Sequence, residues 1–191
     1  MKTMKNKANK EKIINIPNMF TLLRVIITFI IIYLIFDNSS ITLITILFIL
    51  GMATDALDGH IARRFNQKTD FGRRFDILAD RFLLIGTVLS LLVSNPYTNY
   101  LNMYSLFLIM LVLSREIISL PFALLMLYSR SPIPHVRIIG KAVTVMQFIS
   151  FPMVLLKLNI AVYFVLITSI LGIISGFYFI YDSLNTGFSK K

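Results

Sequence analysis

Long apolar runs alternate with short polar segments along this 191-residue chain. A bilayer core about 30 Å thick is crossed by a helix of about 20 apolar residues, and six runs approach that length. The runs cover 19–36, 41–55, 74–93, 101–128, a fifth that ends near 156, and 160–181. The pattern predicts an all-α integral membrane protein with six transmembrane helices.

Two of these runs have features that change the predicted helices. Residues 56–65 follow the second run and keep a helical composition, so we expect that helix to continue beyond the membrane. Pro121 lies inside the fourth run and predicts a kink there, since proline usually bends a helix. The segments 37–40, 94–100 and 157–159 are predicted to be turns.

Both ends of the chain are basic. Residues 1–16 combine five lysines with three isoleucines. This composition predicts either a basic tail that leads into an amphipathic helix at the membrane interface, or a disordered tail. The six helices would then form one membrane domain over 17–185, and residues 186–191 would be a basic C-terminal tail.

The positions of the charges predict the orientation in the membrane. The N-terminal tail, the segments 63–74 and 130–141 and the C-terminus are basic, whereas the three opposite turns contain a single lysine. Because basic segments stay on the cytoplasmic side, both termini and the segment 63–74 are expected to face the cytoplasm from the cell membrane. The net charge of +10 lies between apolar runs, which indicates anionic lipids or phosphorylated substrates as partners and not nucleic acid.

Acidic residues are concentrated in the stretch 54–81. Five of the nine acids of the chain lie there, at Asp55, Asp58, Asp70, Asp76 and Asp80. Ionised groups beside membrane-spanning helices are costly and usually functional. On a helix Asp55 and Asp58 lie about 60° apart, and Asp76 and Asp80 lie about 40° apart on the next helix. We expect these helices to be antiparallel neighbours, so that the four carboxylates converge.

Carboxylates so close to one another need a cation, since they cannot all stay ionised without compensation. The chain has no cysteine, and the predicted ligands are carboxylate oxygens with no histidine among them. Such a ligand set points to Mg²⁺, Mn²⁺ or Ca²⁺. Gly59 and Ala62 leave room for a ligand close to the backbone, and Arg63 follows them directly. The combination is typical of a site for a pyrophosphate bridged by divalent ions.

Two other interpretations of the stretch stay open. The helices could be neutralised by salt bridges such as Asp76–Arg73 and Asp80–Arg81. The carboxylates could also belong to a divalent-cation transporter, although the first pair lies near the cytoplasmic end of a run and not at mid-membrane.

The spacing resembles the signature of the CDP-alcohol phosphotransferase family, D-x2-D-G-x2-A-R-x8-G-x3-D-x3-D. The matching residues are Asp55, Asp58, Gly59, Ala62, Arg63, Gly72, Asp76 and Asp80. The resemblance implies six transmembrane helices with an N-terminal amphipathic segment, assembled as a homodimer. It also implies transfer of a phosphatidyl group from a CDP-linked lipid, such as CDP-diacylglycerol, to an alcohol with release of CMP.

The same resemblance implies roles for individual residues. The metal ligands would be Asp55, Asp58, Asp76 and Asp80, which bind Mg²⁺ or Mn²⁺, expected as a pair of ions. Asp80 would also be the catalytic base that deprotonates the acceptor hydroxyl. The nucleotide and its pyrophosphate would be bound by Asp55, Gly59, Ala62, Arg63, Gly72 and Asp76.

Three further segments are similar to the phosphatidylglycerophosphate synthase and cardiolipin synthase branch of the family. They are Pro17-Asn18-x-x-Thr21-x-x-Arg24, Ser114-Arg115-Glu116 and Gly140-Lys141-x-x-Thr144-x-x-Gln147. A phosphorylated acceptor such as glycerol 3-phosphate would need fixed cations, and Arg115, Arg137 and Lys141 are the candidates. Arg115 could instead pair with Glu116 or a motif aspartate, and Arg137 and Lys141 could be ordinary cytoplasmic charges.

Ile77, Arg81 and Val143 differ from the residues usual in phosphatidylglycerophosphate synthases. The acceptor therefore stays open between glycerol 3-phosphate, inositol phosphate and phosphatidylglycerol, and the donor could be an archaeal-type lipid.

Arg24, Thr144 and Gln147 are further candidates for the pocket. Arg24 lies within the first run, where it would either extend back to the lipid headgroups or face a polar cavity. Thr144 and Gln147 lie one turn apart and would contact substrate or form hydrogen bonds between helices.

Overall fold

A computed structural model describes residues 16–64, 70–128 and 138–187. Over these ranges the chain is helical and contains no strand, as predicted. The helices are α1 (Ile16–Phe36), α2 (Ile41–Arg64), α3 (Asp70–Val93), α4 (Asn95–Tyr100), α5 (Met103–Val112), α6 (Ser114–Tyr128), α7 (Ile138–Leu155) and α8 (Ala161–Gly187). The predicted interfacial helix before residue 16, Arg137 and residues 188–191 lie outside the described residues.

Three of the described helices are long and apolar enough to cross a membrane. They contain the segments Asn18–Phe36, Ile138–Leu155 and Ala161–Leu184. The bent pair α5 and α6 adds a fourth if it counts as one span. The apolar part of α2 is shorter, and α3 begins with several charged residues. Length and composition thus support three or four of the six predicted spans.

Over residues 18–30 of helix α1, the buried side chains are polar and the exposed side chains are apolar. Thr21, Arg24 and Thr28 are buried, whereas Leu22 and Ile26 are exposed. A helix of a water-soluble protein has the opposite arrangement. The pattern is typical of a helix whose outer face meets lipid and whose inner face meets polar groups.

The fourth predicted run consists of two helices. Helices α5 and α6 meet at Leu113 with a bend of 47°. The predicted kink position, Pro121, lies inside α6, so the recorded bend is at a different residue. The segment 94–100, predicted as a turn, contains the short helix α4. Pro96 lies in the first turn of α4, where its fixed backbone angle favours a helix start.

Helix α1 connects the two helices of the acidic motif. It packs against both α2 and α3, and these two contact each other much less than each contacts α1. Helix α8 packs in the same way against α6 and α7. The two groups meet where the rings of Phe48 on α2 and Phe151 on α7 lie 4.6 Å apart, centre to centre. Both rings belong to the buried core.

Candidate active site

The acidic motif lies at the end of α2 and the start of α3. Helix α2 continues to Arg64, which confirms the predicted extension beyond its apolar part. At five motif positions on α2 the structure describes the helical backbone and not the side chains. These positions are Asp55, Asp58, Gly59, Ala62 and Arg63. Gly72, Asp76 and Asp80 follow on α3. The side chains of Asp76 and Asp80 are 33% and 34% exposed, so a ligand can reach both.

Arg24 of α1 contacts both of these carboxylates. Its Nη1 donates a hydrogen bond of 2.9 Å to Oδ1 of Asp76 and a second hydrogen bond to Oδ1 of Asp80. The Arg24 side chain is fully buried. It therefore does not extend back to the lipid headgroups, and it faces the polar interior, as the second interpretation held.

The other end of the guanidinium group contacts α2. The Nε of Arg24 lies 3.3 Å from the carbonyl oxygen of Gly51 and 3.3 Å from Oγ1 of Thr54. The Thr54 hydroxyl in turn donates to the Gly51 carbonyl at 2.6 Å. Thr54 directly precedes Asp55, so Arg24 links both halves of the motif through one side chain.

The donor chemistry of this site fits a divalent cation. Asp76 and Asp80 lie one helical turn apart, and an oxygen of each contacts the same cationic nitrogen. Converging carboxylate oxygens are the ligands that Mg²⁺ and Mn²⁺ prefer. Among the described side chains no three acids or histidines come together, and the other two predicted ligands, Asp55 and Asp58, lie outside that set. The metal site stays a prediction.

A second polar cluster lies where α3 meets α6. The Nε of Arg81 and Oε2 of Glu116 are 3.4 Å apart, and Nη2 of Arg81 donates to the Ser119 hydroxyl at 3.2 Å. The Arg81 and Glu116 side chains are 11% and 7% exposed. Each charge compensates the other, because removal of either partner would leave an unpaired charge with little access to water.

Arg115 joins this cluster to α7. Its Nη1 donates to the Thr144 hydroxyl at 2.9 Å and lies 3.7 Å from Oε1 of Glu116. The structure thus brings together two predicted site residues, Arg115 and Thr144. Glu116 lies between two arginines, so the three side chains carry one net positive charge.

The remaining candidates on α7 are placed differently. Gln147 is buried, and its Nε2 donates to the carbonyl oxygen of Val112 at 3.0 Å. Val112 ends α5, where a carbonyl has no partner within its own helix. Gln147 therefore makes the hydrogen bond between helices that was one of its two predicted roles. Lys141 is exposed near the start of α7.

Sequence reasoning did not assign site roles to Thr54, Arg81 or Glu116. A signal for Glu116 was present, because it is the only acid in the fourth apolar run and a buried acid needs a cationic partner. Thr54 carried no such signal, since its role depends on how α1 packs against α2.

Comparison with known proteins identifies the family. Residues 14–176 match the CDP-alcohol phosphatidyltransferase family. The CDP-diacylglycerol–glycerol-3-phosphate 3-phosphatidyltransferase of Rickettsia typhi is 42% identical over 81 residues, which are 41% of this chain and 45% of that protein. A protein of the same name from Pseudomonas fluorescens is 36% identical over 106 residues, 54% of this chain and 52% of its own length.

A third relative has a different name. The CMP-forming cardiolipin synthase of Streptomyces coelicolor is 32% identical over 108 residues, which are 56% of this chain and 47% of that protein. The chain spans about half the length of these curated relatives. The family match covers far more than half of this chain, including the whole acidic motif. The chain belongs to the CDP-alcohol phosphatidyltransferase family.

Proposed function

We propose that this chain transfers the phosphatidyl group of CDP-diacylglycerol to glycerol 3-phosphate, forming phosphatidylglycerol phosphate and CMP in phospholipid biosynthesis. The observation that carries the proposal is the family match across the complete motif. The names of the Rickettsia typhi and Pseudomonas fluorescens relatives favour this acceptor.

Asp80 is the proposed catalytic base. It accepts the proton of the acceptor hydroxyl, whose oxygen then bonds to the phosphorus of the lipid phosphate. The bond between that phosphorus and the bridging pyrophosphate oxygen breaks, and CMP leaves with the bond electrons. The partial exposure of Asp80 supports this role, because a base must be accessible to the hydroxyl.

The proposed ligands of Mg²⁺ or Mn²⁺ are Asp55, Asp58, Asp76 and Asp80. Two bound ions would neutralise the pyrophosphate and make CMP a better leaving group. The nucleotide is proposed to contact the same end of the helix pair, through Asp55, Gly59, Ala62, Arg63, Gly72 and Asp76.

Arg115 is the proposed anchor for the acceptor phosphate. Its side chain is 19% exposed, and its guanidinium group is oriented by the hydrogen bond to Thr144. Its distance of 3.7 Å from Glu116 is long for a hydrogen bond, so part of its donor capacity is available to an anion. Lys141 lies one turn before Thr144 on the same helix and is proposed to assist, together with Arg137.

The proposed setting is the cell membrane, with six spans, both termini and the active site on the cytoplasmic side, and a homodimeric assembly. Two observations support insertion in a bilayer: the exposed apolar side chains of α1 and the three or four apolar spans. The basic residues of the N-terminal tail, the segments 63–74 and 130–141 and the C-terminus support the cytoplasmic orientation.

An acceptor panel tests the proposal. Purified full-length chain with CDP-diacylglycerol and Mg²⁺ or Mn²⁺ is offered glycerol 3-phosphate, inositol phosphate or phosphatidylglycerol, and CMP release and product mass are measured. We expect CMP and phosphatidylglycerol phosphate with glycerol 3-phosphate. No CMP with any acceptor, including assays with an archaeal-type CDP-lipid donor, would refute the proposed reaction.

Cardiolipin synthesis is the second candidate. The name of the Streptomyces coelicolor relative favours it. The differences at Ile77, Arg81 and Val143 from the residues usual in phosphatidylglycerophosphate synthases leave the acceptor open. This alternative would be established if phosphatidylglycerol were the only acceptor that supports CMP release and the product had the mass of cardiolipin.

A further inference from the structure

Arg24 is the only charged residue in α1, and its side chain is fully buried. A cation inside an apolar helix is costly unless it is paired. Arg24 is paired on two sides, with Gly51 and Thr54 of α2 and with Asp76 and Asp80 of α3. Its charge therefore lies at the junction of the two motif helices.

The contacts on α3 involve atoms that a divalent ion would also need. One nitrogen, Nη1 of Arg24, contacts Oδ1 of Asp76 at 2.9 Å and Oδ1 of Asp80. Two carboxylates one turn apart repel each other, and Arg24 supplies compensating charge without any divalent ion. An ion that binds these carboxylates meets a fixed positive charge at short range, which weakens its binding.

We propose that Arg24 is a built-in counter-cation, which holds Asp76 and Asp80 in place in the metal-free protein and competes with the divalent ion for them. The inference rests on the proposed metal site. It makes Arg24 a positioning residue that acts through the carboxylates. The competition lowers metal affinity, and in exchange the metal-free site stays assembled between α2 and α3.

Metal binding by the Arg24→Gln variant tests this role. Wild type and R24Q in detergent are titrated with Mn²⁺ alone. The dissociation constant is measured from the electron paramagnetic resonance signal of free Mn²⁺. We expect R24Q to bind Mn²⁺ at least about threefold more tightly, because a nearby positive charge is removed. We also expect its thermal midpoint to fall more in EDTA than in saturating Mn²⁺, since without the ion Arg24 supplies the charge that compensates Asp76 and Asp80.

The matched control is Thr28→Val on the same buried face of α1. The Thr28 hydroxyl donates to the carbonyl oxygen of Arg24 at 2.8 Å, within the helix. Its loss should lower the thermal midpoint equally with EDTA and with Mn²⁺ and leave the Mn²⁺ affinity unchanged. If R24Q does not fold, Arg24→Lys replaces it. A lysine nitrogen reaches less far than Nη1, so Mn²⁺ affinity should still exceed that of wild type.

Two results would overturn the inference. In the first, the folded variant binds Mn²⁺ no more tightly than wild type, and its thermal midpoint falls equally in EDTA and in Mn²⁺. Arg24 would then be a structural residue only. That result leaves the proposed reaction intact. Absence of Mn²⁺ binding to wild type would overturn both the proposed metal site and this inference.

Discussion

Glu116 lies between Arg81 and Arg115 in a part of the molecule almost closed to water. Its Oε2 and the Nη1 of Arg81 have no hydrogen-bond partner among the described residues, so charge attraction at 3.4 Å is the main link between the two side chains. The pair therefore depends on Glu116 being charged.

Replacing Glu116 by Gln removes the main counter-charge of Arg81. We expect the free energy of unfolding to fall by about 2–3 kcal/mol, somewhat less than for a pair entirely out of water. Denaturant unfolding in detergent measures the loss. Asp37→Asn, which removes an exposed acid, should change stability by less than about 0.5 kcal/mol. An E116Q variant as stable as wild type would mean that the pair contributes nothing.

Replacing Arg115 by Met removes the proposed phosphate anchor. We expect the KM for glycerol 3-phosphate to rise about tenfold or more, because a charge-assisted hydrogen bond is lost, while the KM for CDP-diacylglycerol is unchanged. Steady-state kinetics separate the two. Lys157→Met removes another cation, one that lies 3.9 Å from the centre of the Tyr100 ring, and should alter neither value. Equal increases in both KM values for R115M would contradict a specific role at the acceptor.

At the scale of elements, close contact between α6 and α8 depends on two glycines of α8. A Cβ added at Gly176 would lie 2.9 Å from Cγ2 and 3.0 Å from Cβ of Ile118. A Cβ at Gly172 would lie 2.9 Å from the Ser114 hydroxyl. Because Ser114 precedes Arg115, this packing also determines where Arg115 is held.

Gly176→Ala should push α6 away from α8. We expect a loss of about 1–3 kcal/mol from overpacking, which exceeds the gain in helix propensity. The matched control is Gly86→Ala, whose added Cβ would have its nearest contact at 3.5 Å, an ordinary van der Waals distance. Thermal unfolding should therefore show a lower midpoint for G176A alone. A G176A midpoint at or above that of G86A would contradict the packing argument.

The elements themselves were largely predictable, whereas their breaks were not. The extension of α2 to Arg64 followed from helical composition alone. The bend at Leu113 had no local signal, since neither proline nor glycine lies there. It is stabilised by Gln147 from another helix, which donates to the Val112 carbonyl. A pattern along one segment cannot indicate such a tertiary contact.

At the scale of the whole molecule, the signature located the carboxylates and predicted the family, which the family match confirms. The signature could not indicate that α1 lies between the two motif helices, because it contains no residue of α1. Arg24 was a candidate from its position in an apolar run, but its partners follow from how α1, α2 and α3 pack.

Metal-dependent CMP release by Asp80→Asn tests the central claim most directly. With CDP-diacylglycerol, glycerol 3-phosphate and Mn²⁺, we expect turnover to fall at least about a hundredfold, since an amide cannot accept the hydroxyl proton. Asp37→Asn should keep wild-type turnover, and wild-type elution volumes with a cooperative thermal transition would show that both variants are folded. Wild-type rates of CMP release by folded D80N would contradict the assignment of Asp80 as the base.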